Sequence, residues 1–410
     1  MSSSRNGLIG LGIGLGVAGA ATAAGLVADR MHKRRQDALE TGVSLVEQPS
    51  EEHFVVATDG VRLHVEVDEP SPGDGLVEDG RVRPTVVMSH GFCLTSECWV
   101  FQRRYLRWAG YRVVVWDHRG HGRSDRGDVA SYTIAQLGED LVRVIDAVAP
   151  EGPLVLVGHS MGGMTTMALG TLYPDLVRDR VVAFGAISTS AGGMPLASGR
   201  FAAAMGRLLI ERLGPGVAGV FEHRPELLKN LLSANSELAE FFVERYSFAS
   251  PVPRSVVKLA ARMLLGTNLT VLSSFTPAFD NYDQTAGLVA FQGCETLVFN
   301  GEQDLVTPPE HSEAIVRALP GAQHVIVRDA GHVIMLEHPD LLNQQLDALI
   351  ERAGRRAEEQ QPADLSPRVR RVVTDVGKKR RIERGLERMD GQRRSAPGNR
   401  STRERRREAS

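Results

Sequence analysis

Three residues of this chain belong to types that do nucleophilic chemistry together, and each stands just past a short apolar run. Ser160 lies in Gly158-His159-Ser160-Met161-Gly162, directly after the run 154–157 and directly before residues 164–169, which open a helix in pattern. Asp304 follows the run 296–300 by one short turn, and His332 follows the run 324–327. A serine hydroxyl is a weak nucleophile near neutral pH. It needs a base within hydrogen-bond reach, and that base needs a carboxylate to orient it. Ser160, Asp304 and His332, in that order, supply one of each.

A bare Gly-x-Ser-x-Gly is a weak signal in a chain with 42 glycines among 410 residues, and a glycine turn capped by Ser160 competes with the nucleophile reading. Context strengthens the chemical reading. A serine held in a strained strand-to-helix turn needs small neighbours, which Gly158 and Gly162 provide, and the helix N-terminus beneath its Oγ favours developing negative charge. Other candidates are weaker. His338 is the second choice for the base, and Glu302 for the acid. His90, His118, His121 and His159 precede or adjoin the serine and read as structural. The trio His90, His118 and His121 lacks metal-ligand spacing.

The elements that must position these residues follow in chain order. Residues 53–58 and 61–68 flank Asp59-Gly60, a hairpin signal, and 69–84 is a Pro/Gly-rich acidic loop. Residues 85–89 form a buried strand running into His90-Gly91-Phe92. A helix with Trp99, Tyr105 and Leu106 follows, then a strand over 112–116. Apolar positions Ile134, Leu137, Leu141, Ile145 and Val148 predict an amphipathic helix over 133–148. The serine strand, its helix and a strand over 181–187 continue an alternation that predicts a doubly wound, mostly parallel α/β sheet. In such a sheet, loops at the carboxyl ends of the strands meet on one edge, where ligands bind. The alternation stops at Ser188 and resumes at Glu295. The greasy helical stretch between reads as an inserted cap, against an ordinary helical extension of the core.

By this point the chain resembles the α/β-hydrolase superfamily over residues ~53–188 and ~291–353, in strand–turn–helix context, motif order and triad order. The resemblance implies an oxyanion hole made by the backbone N–H groups of Phe92 and Met161. It also implies that the segment 117–124, Asp-x-Arg-Gly-x-Gly-x-Ser, is scaffolding. Some members carry the acid after the sixth strand, where this chain reads Ser188-Thr189-Ser190, so Asp304 is favoured. Epoxide hydrolases and haloalkane dehalogenases of the superfamily attack with an elbow Asp, and Ser160 argues against both. Gly-His-Ser-Met-Gly-Gly is similar to the monoacylglycerol lipase pattern but is shared by several serine members.

Composition bounds the rest. Three cysteines (Cys93, Cys98, Cys294) exclude a fully paired disulfide framework within one chain. The net charge of −2 hides an asymmetry: residues 351–410 carry 19 Lys/Arg against 10 Asp/Glu, leaving 29 against 40 in the first 350. Residues 7–28 contain no charge and are long enough to span a bilayer core, with Arg30, Lys33, Arg34 and Arg35 after them. The positive-inside rule would put the catalytic domain on the cytoplasmic side. A secretory signal ending at Ala21-Thr22-Ala23 and a soluble Gly/Ala arm are the alternatives.

These readings divide the chain into a candidate transmembrane anchor (1–35), a linker (36–52), a core in two pieces (53–188 and 291–353), a helical cap (189–290) and a basic tail (354–410). The tail is expected to be disordered or loosely helical, and able to attract anionic lipid or nucleic acid, without firm evidence for the latter. The expected chemistry is serine hydrolysis of small-molecule carboxylic esters, lipid-like in their apolar acyl groups, with no cofactor or metal. A peptidase, thioesterase, C–C hydrolase or perhydrolase on the same residues is the alternative, and a non-catalytic binding protein a further one.

Overall fold

The computed structural model describes residues 30–70, 83–192, 236–280, 282–359, 366, 368 and 370–395. The expected span over 7–28 and the cap stretch 193–235 lie outside the described residues. Among the described residues no single helix is long and apolar enough to cross a membrane.

The chain divides into two compact units, residues 43–250 with 255–375, and residues 1–42 with 251–254 and 376–410. The larger unit is built on a nine-stranded sheet. Its strands are β1 (Glu51–Val56), β2 (Arg62–Asp68), β3 (Thr85–Ser89), β4 (Val113–Trp116), β5 (Leu154–His159), β6 (Val181–Ile187), β7 (Glu295–Gly301), β8 (Gln323–Val327) and β9 (Arg371–Val373). Their spatial order is β1-β2-β4-β3-β5-β6-β7-β8-β9. β1, β2 and β4 pair antiparallel, and every pairing from β4–β3 onward is parallel. β4, β5, β7 and β8 are buried along their whole length, as strands covered on both faces must be, which is why each carries a short apolar run at its centre.

Helices cover the sheet. The helix Ile134–Val148 buries Leu137, Leu141, Ile145 and Val148, and its N-cap Thr133 accepts a hydrogen bond from the Gln136 N–H. It packs on the helix Met161–Leu172, which is buried from Met161 to Gly170. Close approach at Gly170 seats the 3-10 turn Thr285–Phe291 on that helix, since a Cβ there would lie 2.4 Å from the Gly287 carbonyl oxygen.

Four boundaries differ from expectation. The sheet begins at Glu51 rather than at residue 53, and residues 30–39, divided between the expected anchor and linker, are one helix. The turn Thr285–Phe291 packs into the core, with Leu288, Ala290 and Phe291 buried, so the core resumes before residue 291. The last core helix continues past residue 353, the expected end of the core, spanning Pro339–Glu358. In the tail, expected to be disordered or loosely helical, Arg371–Val373 adds a ninth strand beside β8, which was not expected, and Val376–Ser395 is a helix. A three-residue charged edge strand has no visible apolar period. The tail helix buries Lys378 and Gly385, Gly385 lying against Ala38 of the helix over 30–39, and Arg34 pairs with Asp390 at 2.6 Å in the same smaller unit.

Candidate active site

Ser160 follows β5, Asp304 follows β7 and His332 follows β8, so all three stand at carboxyl ends of parallel strands. Ser160 adopts φ 52° and ψ −119°, a conformation that costs an L-residue on the order of 1–3 kcal/mol. Its surroundings force that conformation. A Cβ at Gly158 would lie 2.4 Å from the Gly162 carbonyl oxygen, and one at Gly162 only 2.1 Å from that of Ser89. The Ser160 N–H donates to the Ile187 carbonyl at 3.0 Å, and the Thr189 hydroxyl donates to the Ser160 carbonyl at 2.7 Å. The serine backbone is therefore held on both sides of its Cα, by the end of β6 and by the loop that follows it.

The structure brings the three candidates together. Ser160 Oγ lies 3.1 Å from His332 Nε2, and His332 Nδ1 lies 2.9 Å from Asp304 Oδ2 and 3.1 Å from Oδ1. Asp304 also accepts from the amides of Val306 and Thr307 and from the Thr307 hydroxyl. Burial pushes its carboxyl pKa up. The charge and hydrogen bond of His332, with those two amides, outweigh burial and hold it below the ordinary carboxylate value. An ionised Asp304 accepts from Nδ1–H, which leaves the Nε2 lone pair facing the serine hydroxyl.

The loop after β3 lies against the serine turn: a Cβ at Gly91 would stand 3.1 Å from Ser160 Cβ. Within this edge the amides of Phe92 and Met161 donate to no protein acceptor among the described residues. For Met161 this follows from its place as the first residue of a helix, where N–H groups have no partner in the preceding turn. Phe92 presents its ring to the cap helix Leu269–Asp280, with centroids 5.9 Å from Phe275 and 5.4 Å from Phe279. Tyr132, Val271, Met161 and Met164 complete an apolar cluster there.

The rivals lie elsewhere or are occupied. His338 Nδ1 faces Asp375 at 3.0 Å and its Nε2 the Asp329 carbonyl at 3.2 Å, and Glu302 is exposed. The His121 ring bridges the Cys93 amide and the Arg119 carbonyl, and burial pushes its pKa down to about 3. His90 and His118 exchange backbone contacts and are likewise shifted down by burial. No His/Cys/Asp/Glu group among the described residues suits a metal ion. Burial also pushes the Cys93 thiol up to about 12, which makes it a poor nucleophile.

Sequence reasoning missed three supports. Thr307 and Thr189 brace the acid and the serine, and His159, the residue before the serine, reaches the His332 carbonyl with Nε2 at 2.9 Å. Asp304-x-x-Thr307 is a local pattern in which an Asp side chain accepts from following amides, so the first was legible. The other two connect residues far apart in sequence.

A family model described as alpha/beta hydrolase fold matches residues 84–339. Epoxide hydrolase B of Mycobacterium tuberculosis is 36% identical over 127 residues, 31% of this chain and 33% of that protein. The chain thus matches only about a third of the length of the first of its curated relatives. The sn-1-specific diacylglycerol lipase ABHD11 of Mus musculus is 28% identical over 266 residues, covering 64% of this chain and 80% of the relative. Among solved structures, a thermophilic esterase from Thermogutta terrifontis is similar at a TM-score of 0.52 and 25% identity, over 74% of this chain and 99% of that one.

Proposed function

The chain belongs to the alpha/beta hydrolase fold family, and from that premise we propose that it is a serine hydrolase of carboxylic esters with apolar acyl groups. The observation that carries the proposal is the unbroken hydrogen-bonded path from Ser160 Oγ through His332 to Asp304, at 3.1 and 2.9 Å. His332 Nε2 takes the serine proton as Oγ attacks the ester carbonyl. Asp304 stays ionised and stabilises the imidazolium that forms. The N–H groups of Phe92 and Met161 receive the oxyanion. His332 then protonates the departing alcohol, and water, activated by the same imidazole, releases the acyl group from Ser160.

The apolar acyl preference rests on the ring cluster of Phe92, Phe275 and Phe279 beside the oxyanion amides. The likeness to a diacylglycerol lipase supports a lipid-like substrate. Membrane association through residues 7–28, with the catalytic unit on the cytoplasmic side, belongs to the same reading. Retention in the pellet after carbonate extraction, lost when residues 1–29 are deleted, tests it.

The likeness to an epoxide hydrolase favours a second reading, ring opening of epoxides. Ser160 argues against it on chemical grounds. A carboxylate attacking an epoxide leaves an ester that water can cleave, whereas serine would leave an inert ether.

The deciding experiment is hydrolysis of a chromogenic ester series, from acetyl to long acyl, by the full chain and by Ser160→Ala. Turnover that rises with acyl length and falls at least about 10³-fold in the variant is expected. A variant as active as the wild type sinks the serine reading. Turnover confined to amides, thioesters or epoxides sinks the ester reading.

A further inference from the structure

His332 is held by its neighbours as well as by Asp304. The Gly331 N–H donates to Glu337 Oε2 at 2.7 Å, and the Val333 N–H donates to the Ser247 carbonyl at 3.0 Å. The other oxygen of the same carboxylate, Glu337 Oε1, accepts from the Ala249 N–H at 2.9 Å, the Ser250 N–H at 2.5 Å and the Ser250 hydroxyl at 2.7 Å. Thus both sequence neighbours of His332 are tied to one four-residue strap, 247–250, that leaves the cap helix Ser236–Ser247. The contact is tight. A Cβ at Gly331 would stand 2.7 Å from the Ser247 carbonyl oxygen and 3.0 Å from Phe248 Cα. Glu337 is 2% exposed, so its hydrogen bonds act where water competes little.

We propose that Glu337 is a positioning residue that clamps the cap strap 247–250 to the loop carrying His332, so that the base is correctly placed only while the cap is seated. The inference rests on the reading of His332 as the base. Glu337 does not touch the reacting atoms. It acts through the Gly331 amide, and a carboxylate is required because its two oxygens accept from opposite sides. Glutamine can keep an acceptor toward the Ala249 and Ser250 amides, but it then turns an NH₂ group toward the Gly331 N–H. A base displaced by even about 1 Å loses on the order of a hundredfold in rate while substrate still binds.

The test uses the full chain with the ester giving the highest turnover, and reads kcat, KM and amide hydrogen exchange in parallel. Glu337→Gln is expected to lower kcat about tenfold to a hundredfold with KM within about threefold. Exchange should accelerate together at 247–250 and 331–333 while amides of β5 and β7 keep their protection. Ser250→Ala, which removes one strap contact, should move both readouts the same way by a smaller factor. Unchanged kcat in Glu337→Gln overturns the proposal, as does faster exchange on one side of the clamp only. Should Glu337→Gln lose protection throughout the sheet, Ser250→Ala decides: unchanged kcat and unchanged strap exchange overturn the clamp. The exchange readout needs no turnover. A wild type inert toward every ester therefore removes the ester reading by itself, while the joint loss of protection still reports on the clamp.

Discussion

The Thr307 hydroxyl donates to Asp304 Oδ2 at 2.9 Å, and the hydroxyl oxygen itself lies 3.3 Å from His332 Nδ1. One short side chain thereby touches both the carboxylate and the imidazole that the carboxylate orients. Thr307→Val keeps the shape and removes the hydroxyl. It is expected to lower kcat about tenfold, the size of one hydrogen bond to a charged group. A rate equal to that of the wild type in steady-state ester hydrolysis would show the hydroxyl to be idle.

Replacing the acid should cost far more. In Asp304→Asn the Val306 and Thr307 N–H groups hold the amide oxygen, so the NH₂ group turns toward His332 Nδ1 and drives the ring proton onto Nε2, the wrong tautomer. A loss of about 10³–10⁴-fold in kcat is expected with the fold retained. Full activity in this variant would move the acid elsewhere.

Gly162 admits no side chain. A Cβ there would stand 2.1 Å from the Ser89 carbonyl oxygen and 2.7 Å from that of His90. Gly162→Ala must push the loop after β3 off the serine turn, destabilising the protein by about 3 kcal/mol or more. An unchanged midpoint in chemical denaturation would contradict the packing described.

Phe279, 2% exposed, stacks edge-on to Phe92. If this cluster receives the acyl chain, Phe279→Ala raises KM for long-chain esters about tenfold and leaves acetyl esters nearly untouched. Equal effects at both chain lengths would assign the ring to cap packing alone.

Asp117 ties the scaffold segment together, accepting from the Ser96 and Arg123 amides and facing His64 Nδ1 at 2.9 Å. Burial raises its pKa, but His64, the charge of His90 and the two amides outweigh that and lower it from 3.8 to about 2. A depressed carboxylate contributes stability that is complete above its unfolded value and is lost as pH falls through its folded value. Asp117 should therefore contribute about 2 kcal/mol at neutral pH, lost between roughly pH 4 and 2. Denaturation of the wild type and Asp117→Asn across that range should show the wild-type advantage vanish. An advantage independent of pH would mean that the carboxylate charge plays no part.

Local spacing was enough for much of this protein. The runs around 85–89, 154–157, 181–187, 296–300 and 324–327 become buried parallel strands because their valines, isoleucines, leucines and phenylalanines suit strands covered on both faces. Asp59-Gly60 becomes a turn because Gly60 takes a positive φ of 88°. The Gly158–Gly162 turn is legible because steric exclusion acts over five residues. What lies beyond short range was decided by tertiary structure. Ser160 and His332 stand 172 positions apart, and their 3.1 Å contact exists only because β5 and β8 end on the same edge of one sheet. The Glu337 clamp, the Thr189 brace and the His159 contact join elements whose local patterns do not refer to each other. The ninth strand escaped notice because three residues cannot carry a period, and they become a strand only where β8 offers open backbone groups to pair with.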